Sequence, residues 1–166
     1  METGTSPAGL FRRLAALLYD ALLVIAILFI AALPLPLVEE PVRTLWWARI
    51  LEQLYLLTAW FLFLGWFWTH GGQTVGMKAW RMKLQCVNGD KPSWRHALIR
   101  FFVSSGSFWL LLVLYGLEIL SSKIAFILAS IIFGLAFLWI LIDPKGCAWH
   151  DHLSRTRLVM VPFQNR

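Results

Sequence analysis

Four long apolar runs, separated by short polar stretches, set the pattern of the chain: residues 14–33, 50–68, 101–117 and 124–142. Each is close to the twenty or so apolar residues that a helix needs to cross a hydrocarbon layer of ~30 Å. The runs have no polar face of the kind that a helix on a soluble core presents to water. This pattern predicts an all-α membrane protein with four transmembrane helices. Pro34 and Pro36 end the first run, because proline cannot continue the backbone ladder of a helix. Only Glu118, Ile119, Leu120, Ser121, Ser122 and Lys123 separate the last two runs, which predicts a tight helical hairpin. The first run is too long for a signal segment and contains Asp20, so it is read as a retained helix.

The longest polar stretch, 69–96, has a different period. Trp80, Met82, Leu84 and Cys86 alternate with Arg81, Lys83 and Gln85, which is strand periodicity. Asn88-Gly89 follows, a strong local signal for a tight turn. Residues 156–161 read as a second short strand. The expectation is a small β-hairpin element at the membrane surface, supported by the helices because an isolated hairpin is marginal in water. Ahead of the first strand, Gly71-Gly72-Gln73-Thr74-Val75-Gly76 lacks the glycine and lysine spacing of a phosphate-binding loop. It is read as a flexible turn leading into an interfacial element.

Charge sets the orientation. Arg12, Arg13, Lys78, Arg81, Lys83, Lys91, Arg95, Arg100, Lys145, Arg155, Arg157 and Arg166 fall in the stretches on one side. The other side carries Arg43, Arg49 and Lys123 against Glu39, Glu40, Glu52 and Glu118. Cytoplasmic loops of membrane proteins are enriched in Lys and Arg, so the first side, with both termini, is expected in the cytoplasm. The net charge of +6 is accounted for in this way without a nucleic-acid partner. Trp46, Trp47, Trp66, Trp68, Trp94, Trp139 and Trp149 fall near run ends, where amphipathic rings anchor at the interface.

Asp20 is the main candidate for chemistry. A charge inside a span costs roughly 2.5–3.5 kcal/mol on insertion scales and marks a functional site by default. Such a carboxylate either pairs with a cation or takes up a proton. Arg13 lies seven residues earlier, ~10.5 Å along a helix, and is expected to snorkel outward to water. Arg100, at the cytoplasmic start of the third run, is therefore the expected partner of Asp20. Either a proton or ion relay or a static pair fixing helix register fits these residues. Cys86 and Cys147 are expected to be reduced on the cytoplasmic side. Cys147, His150 and His152 imitate a metal cluster, but a closed site needs about four ligands and no CxxC or HxxxH pair completes it. The expectation is thus no metal and no cofactor. Nor does any nucleophile with its base emerge, so the chain is read as a non-enzyme.

Several blocks together resemble the RDD family of bacterial membrane proteins, named for one arginine and two aspartates. They are Phe11-Arg12-Arg13-Leu14-Ala15-Ala16-Leu17-Leu18-Tyr19-Asp20, Gly72-Gln73-Thr74-Val75-Gly76-Met77-Lys78, Asn88-Gly89-Asp90 with Arg100, and His150-Asp151-His152-Leu153-Ser154-Arg155-Thr156-Arg157. They occur in the family's order and cover nearly the whole chain, so residues 1–166 are expected to form a single RDD-like transmembrane domain. The resemblance places the named arginine at Arg13, the first aspartate at Asp20 and the second at Asp151, with Asp143 as the alternative. It implies a multi-pass protein of the bacterial inner membrane that transports an undefined ligand, with cation–proton exchange in some members. The sites so implied are Arg13, Asp20, Arg100 and Asp151. Four spans are few for a monomeric carrier, so a transporter of this length is expected to be a homo-oligomer. The competing expectation is an accessory protein that docks a partner on its basic cytoplasmic face. Near Asp151, a basic residue, Arg13 or Arg100, is expected, with the other arginine reaching Asp20.

Overall fold

A computed structural model of the chain describes residues 8–43, 45–106, 122–143 and 147–161. Helix α1 spans Leu10–Ala32, built from Leu, Ala and Ile with no internal proline. It gives way to a 3-10 turn at Leu35–Leu37 with Pro34 at its cap, where proline's fixed φ and missing N–H stop the α-helix. A single turn, α2 (Glu40–Arg43), leads into α3 (Trp46–His70). Residues 10–37 and α3 are each long and apolar enough to cross a bilayer.

Only the first residues of the third apolar run, 101–106, are described, and they belong mostly to a short helix that starts ahead of the run and is capped at Ser105. Helix α5 covers Trp94–Ser104, starting behind Ser93 with His96 folded back on the cap. The rest of that run from residue 107 and the predicted hairpin turn lie outside the described residues. Helix α6 (Ser122–Ile142) matches the fourth run closely.

Between α3 and α5 the chain forms α4 (Val75–Ala79) and strand β1 (Met82–Cys86). As expected, residues 71–74 turn the chain into a following element, α4, whose cap is Thr74: its hydroxyl oxygen accepts the Met77 N–H at 3.2 Å. After α6 come α7 (Trp149–Leu153) and strand β2 (Thr156–Met160). The two strands pair antiparallel, Met82 opposite Met160 and Leu84 opposite Leu158. Both expected strands therefore form, but they are not a β-hairpin, because α5, α6 and α7 and their connections lie between them. Asn88-Gly89 turns the chain locally: Gly89 at φ 88° donates to the Cys86 carbonyl, and Cys86 N–H donates to Asp90. That local loop leaves β1 to pair with the end of the chain.

An internal repeat underlies this sheet. Each half runs short helix, two-residue turn, strand, and every part of the second follows its counterpart by 74 residues, as 75 to 149 and 82 to 156 show. Even the turns match. Arg81 and Arg155, both left-handed at φ 54° and 51°, donate their N–H to Lys78 and His152 respectively. Antiparallel pairing at a constant offset relates the halves by a local two-fold through Leu84 and Leu158.

The core gathers at one end of the long helices. Ala8, Ala16, Trp68, Met77, Met82, Leu84, Ala97, Phe101 and Leu158 form it, with Trp60 and Phe61 packed against it. Trp68, expected at the interface, is 5% exposed and belongs to this core, while Trp46, Trp47, Trp66, Trp94, Trp139 and Trp149 are exposed. Elsewhere α1 and α3 present Leu18, Leu22, Ile25, Phe29, Leu51, Leu62 and other large apolar residues outward. Contiguous apolar surface on this scale is a liability in water and the expected finish against lipid.

Candidate functional site

The buried residues of α1 are Arg13, Ala16 and Asp20. Their spacing of three and four puts them on one stripe of the helix. The long apolar helix thus turns Arg13 and Asp20 inward, while Arg12 and leucines such as Leu14, Leu18 and Leu22 face outward. Ala16 separates the charges, and each has its own set of partners.

Around Asp151 the described residues bring together the resemblance's arginine and second aspartate. Arg13 Nη1 donates to Asp151 Oδ2 at 2.6 Å, and Arg100 Nη1 donates to Oδ1 at 2.5 Å. Asp151 sits in the first turn of α7 and reaches back to accept the Ala148 N–H at 3.0 Å. Such a carboxylate suits the start of a helix, where N–H groups lack partners within the helix. Arg13 Nε also donates to the Ala8 carbonyl, and Arg100 to Thr156 Oγ1, which in turn bonds Ser154. The Arg100 guanidinium lies 5.6 Å from the centroid of the Trp68 ring, in cation–π range. These three side chains are 4%, 5% and 0% exposed. Arg13 therefore does not snorkel to water: the N-terminal segment and α7 close over it, and a carboxylate inside that cover replaces the solvent.

Burial by itself raises the Asp151 pKa. Arg100 and Arg13 oppose that, with the Ala148 N–H, and hold the carboxyl well below its usual range. His150, whose Nε2 lies 3.6 Å from Asp151 Oδ1, is lowered to about 3 by burial and by the two arginines, against the pull of Asp151. Histidine is therefore neutral here. Removing one partner from a buried ion cluster costs about 3–5 kcal/mol, because it leaves the other charge uncompensated.

Asp20 does not reach an arginine. Thr74 Oγ1 donates to its Oδ2 at 2.5 Å, and the Gly76 N–H donates to Oδ1 at 2.9 Å. Arg100, its expected partner, is committed to Asp151 and Thr156 instead. Asp20 is 8% exposed, and among the described residues no cation contacts it. Thr74 and Gly76 were not singled out as site residues, although they sit in the Gly72–Lys78 block. The available signal was Thr74 at a helix cap, a residue type with a hydroxyl to spare. Gly76 is required by packing: a Cβ there would overlap the Ala16 carbonyl oxygen and lie 3.0 Å from Asp20 Oδ1.

The alternative second aspartate, Asp143, stands apart from both groups. It follows the end of α6, where its Oδ2 accepts the Cys147 N–H at 2.7 Å and its Oδ1 lies 3.3 Å from His152 Nε2.

Apolar helices dressed for lipid, over a packed end that buries an arginine–aspartate–arginine cluster, define a helical membrane protein. The RDD family model matches residues 7–155, and the chain belongs to the RDD family. No curated protein and no solved structure matches it.

Proposed function

We propose that this protein is a transporter that moves a small ligand or ion across the bacterial inner membrane, with Asp20 as the carboxylate that alternates between proton and cation. The observation that carries this reading is the setting of Asp20, a buried carboxylate in a membrane-length helix whose partners among the described residues are neutral donors. A structural carboxylate in such a place is expected to have a cation beside it, as Asp151 has two. A cycling carboxylate needs partners that tolerate both protonated and ionised forms, and a threonine hydroxyl does so by rotating.

On this reading residues 1–166 form one domain with four spans and both termini in the cytoplasm. Four spans are few for a monomeric carrier, which favours a homo-oligomer. Arg13, Arg100 and Asp151 then form a fixed base that holds α1, α5 and α7 together beneath the moving site, and no enzymatic step is assigned. Exposed Lys78, Arg81, Arg95, Arg155 and Arg157 favour a second reading, in which this face docks a partner or anionic lipid.

The test is ion flux in sealed vesicles with a pH-sensitive dye. Asp20→Asn preserves shape and removes the titrating group. Flux under a sodium or potassium gradient is expected to fall to the background of empty vesicles while the variant inserts and unfolds like the parent. Undiminished flux in the variant removes Asp20 from the pathway, and no flux from the parent protein favours the docking role.

A further inference from the structure

We infer that Asp143, Cys147 and His152 form a binding site for one zinc-class divalent cation at the junction of α6 and α7. The inference is independent of the transport reading. One ligand atom from each residue lies within 4.8 Å of the others. A tetrahedral ion with bonds of about 2.0–2.3 Å spaces its ligands about 3.3–3.8 Å apart. His152 Nε2 and Asp143 Oδ1 are already at 3.3 Å, and the widest gap closes with a movement of about 1 Å.

The donor set decides the ion. One thiolate, one imidazole and one carboxylate match zinc and its neighbours, whereas calcium and magnesium call for six or more oxygen ligands. Three protein ligands leave the fourth position for water or a further ligand, unlike a closed structural site. The carboxylate is also oriented for the role. Its Oδ2 is occupied by the Cys147 N–H at 2.7 Å, which turns Oδ1 towards His152. Such an outer hydrogen bond is a regular feature of metal carboxylates. Asp143 and Cys147 are half-buried and the His152 side chain is 44% exposed, so an ion from solution has access. The sequence pattern of Cys147 with His150 and His152 lacked a third usable ligand, because His150 turns to Asp151. Asp143, four residues upstream of the cysteine, supplies it.

Occupancy has a structural consequence. Cys147 adjoins Ala148, whose N–H Asp151 accepts, and His152 adjoins Asp151 itself. A bound ion would tie the end of α6 to the helix that carries the buried carboxylate.

The experiment uses the full-length protein in lipid nanodiscs, stripped with chelator and titrated with Co2+, whose thiolate charge-transfer band reports sulfur ligation. One equivalent is expected to bind with that band. Cys147→Ser should abolish the band, and Asp143→Asn and His152→Ala should weaken binding at least about tenfold. His70→Gln, exposed and outside the cluster, should leave binding unchanged. A second measurement needs no variant: Zn2+ should slow maleimide alkylation of Cys147 in the parent protein at least about tenfold, by peptide mass spectrometry. Binding without the thiolate band, or alkylation unmoved by Zn2+, overturns the site.

Discussion

Gly76 lies at the closest approach of α4 to α1, with its N–H on Asp20 and no room for a Cβ against the Ala16 carbonyl. Backbone on both sides of that contact cannot step aside as a flexible side chain would. Gly76→Ala is therefore expected to destabilise the protein by about 1–3 kcal/mol, the usual cost of overpacking, read as a lower Tm in detergent. An unchanged Tm would show that α4 does not sit where Asp20 accepts its N–H. The two cysteines make a second residue-scale case. Burial in β1 pushes the Cys86 thiol up, and the nearby Asp90 adds to this. A raised folded pKa means that stability is full below the unfolded value of ~8.5 and declines as pH rises through and above it. Alkylation followed by mass spectrometry in chelator is expected to mark Cys147 first at pH 8. Cys86 should react only at higher pH, climbing about tenfold per unit as thiolate appears. Equal rates at pH 8 would show that Cys86 is not held in the sheet.

At the scale of elements, much was legible in the chain and the exceptions share a cause. Alternation at Trp80–Cys86 announced β1, and the first, second and fourth apolar runs announced α1, α3 and α6, because both signals are local. What local signals missed was pairing. Asn88-Gly89 is a hairpin signal by dipeptide, yet β1 pairs with β2 across α5, α6 and α7, and only the repeat hints at that partner. Arg13 was expected in water because a helix end usually reaches it, and Asp20 was expected to meet Arg100 because charge seeks charge. Tertiary cover reversed both: α7 brought a carboxylate to the two arginines, and α4 brought a hydroxyl and an N–H to Asp20. The grouping of Arg13, Arg100 and Asp151 was foreseen in outline as an arginine beside Asp151. The repeated turns provide the element-scale prediction. Arg155 holds φ 51°, a region costing roughly 1–2 kcal/mol for a residue with a Cβ. Arg155→Gly should gain about 0.5–1 kcal/mol net of glycine's own entropy cost, while Arg155→Val should lose stability. Thermal unfolding of the pair decides it, and identical shifts would argue that the turn is not left-handed.

On the scale of the whole molecule, the polar and apolar halves separate along the helix axes. The start of α1, the end of α3, both strands and α4, α5 and α7 assemble at one end, where exposed Lys78, Arg81, Lys91, Arg95, Arg155 and Arg157 cluster. At the opposite end, α2 and the connection from α1 to α3 carry Glu39 and Glu40. Moving one such basic residue outward across a membrane that is negative inside is opposed both by desolvation and by the potential, at ~2.3 kcal/mol per charge per 100 mV. Six exposed cations on one packed end therefore support the proposed cytoplasmic placement of that end, which also carries the buried cluster joining α1, α5 and α7. Arg13 of α1 pairs with Asp151 of α7, and the Ala8 N–H donates to the Leu158 carbonyl of β2, so the start of α1 and these two elements share one side whatever the number of spans between them. Reporter fusions after Lys91 and after Arg166 are accordingly expected to be active as cytoplasmic fusions, and one after Glu40 as an external fusion. A cytoplasmic signal at Glu40 would mean that α1 does not cross the bilayer, and Asp20 would then lie on a surface helix with no gradient to couple.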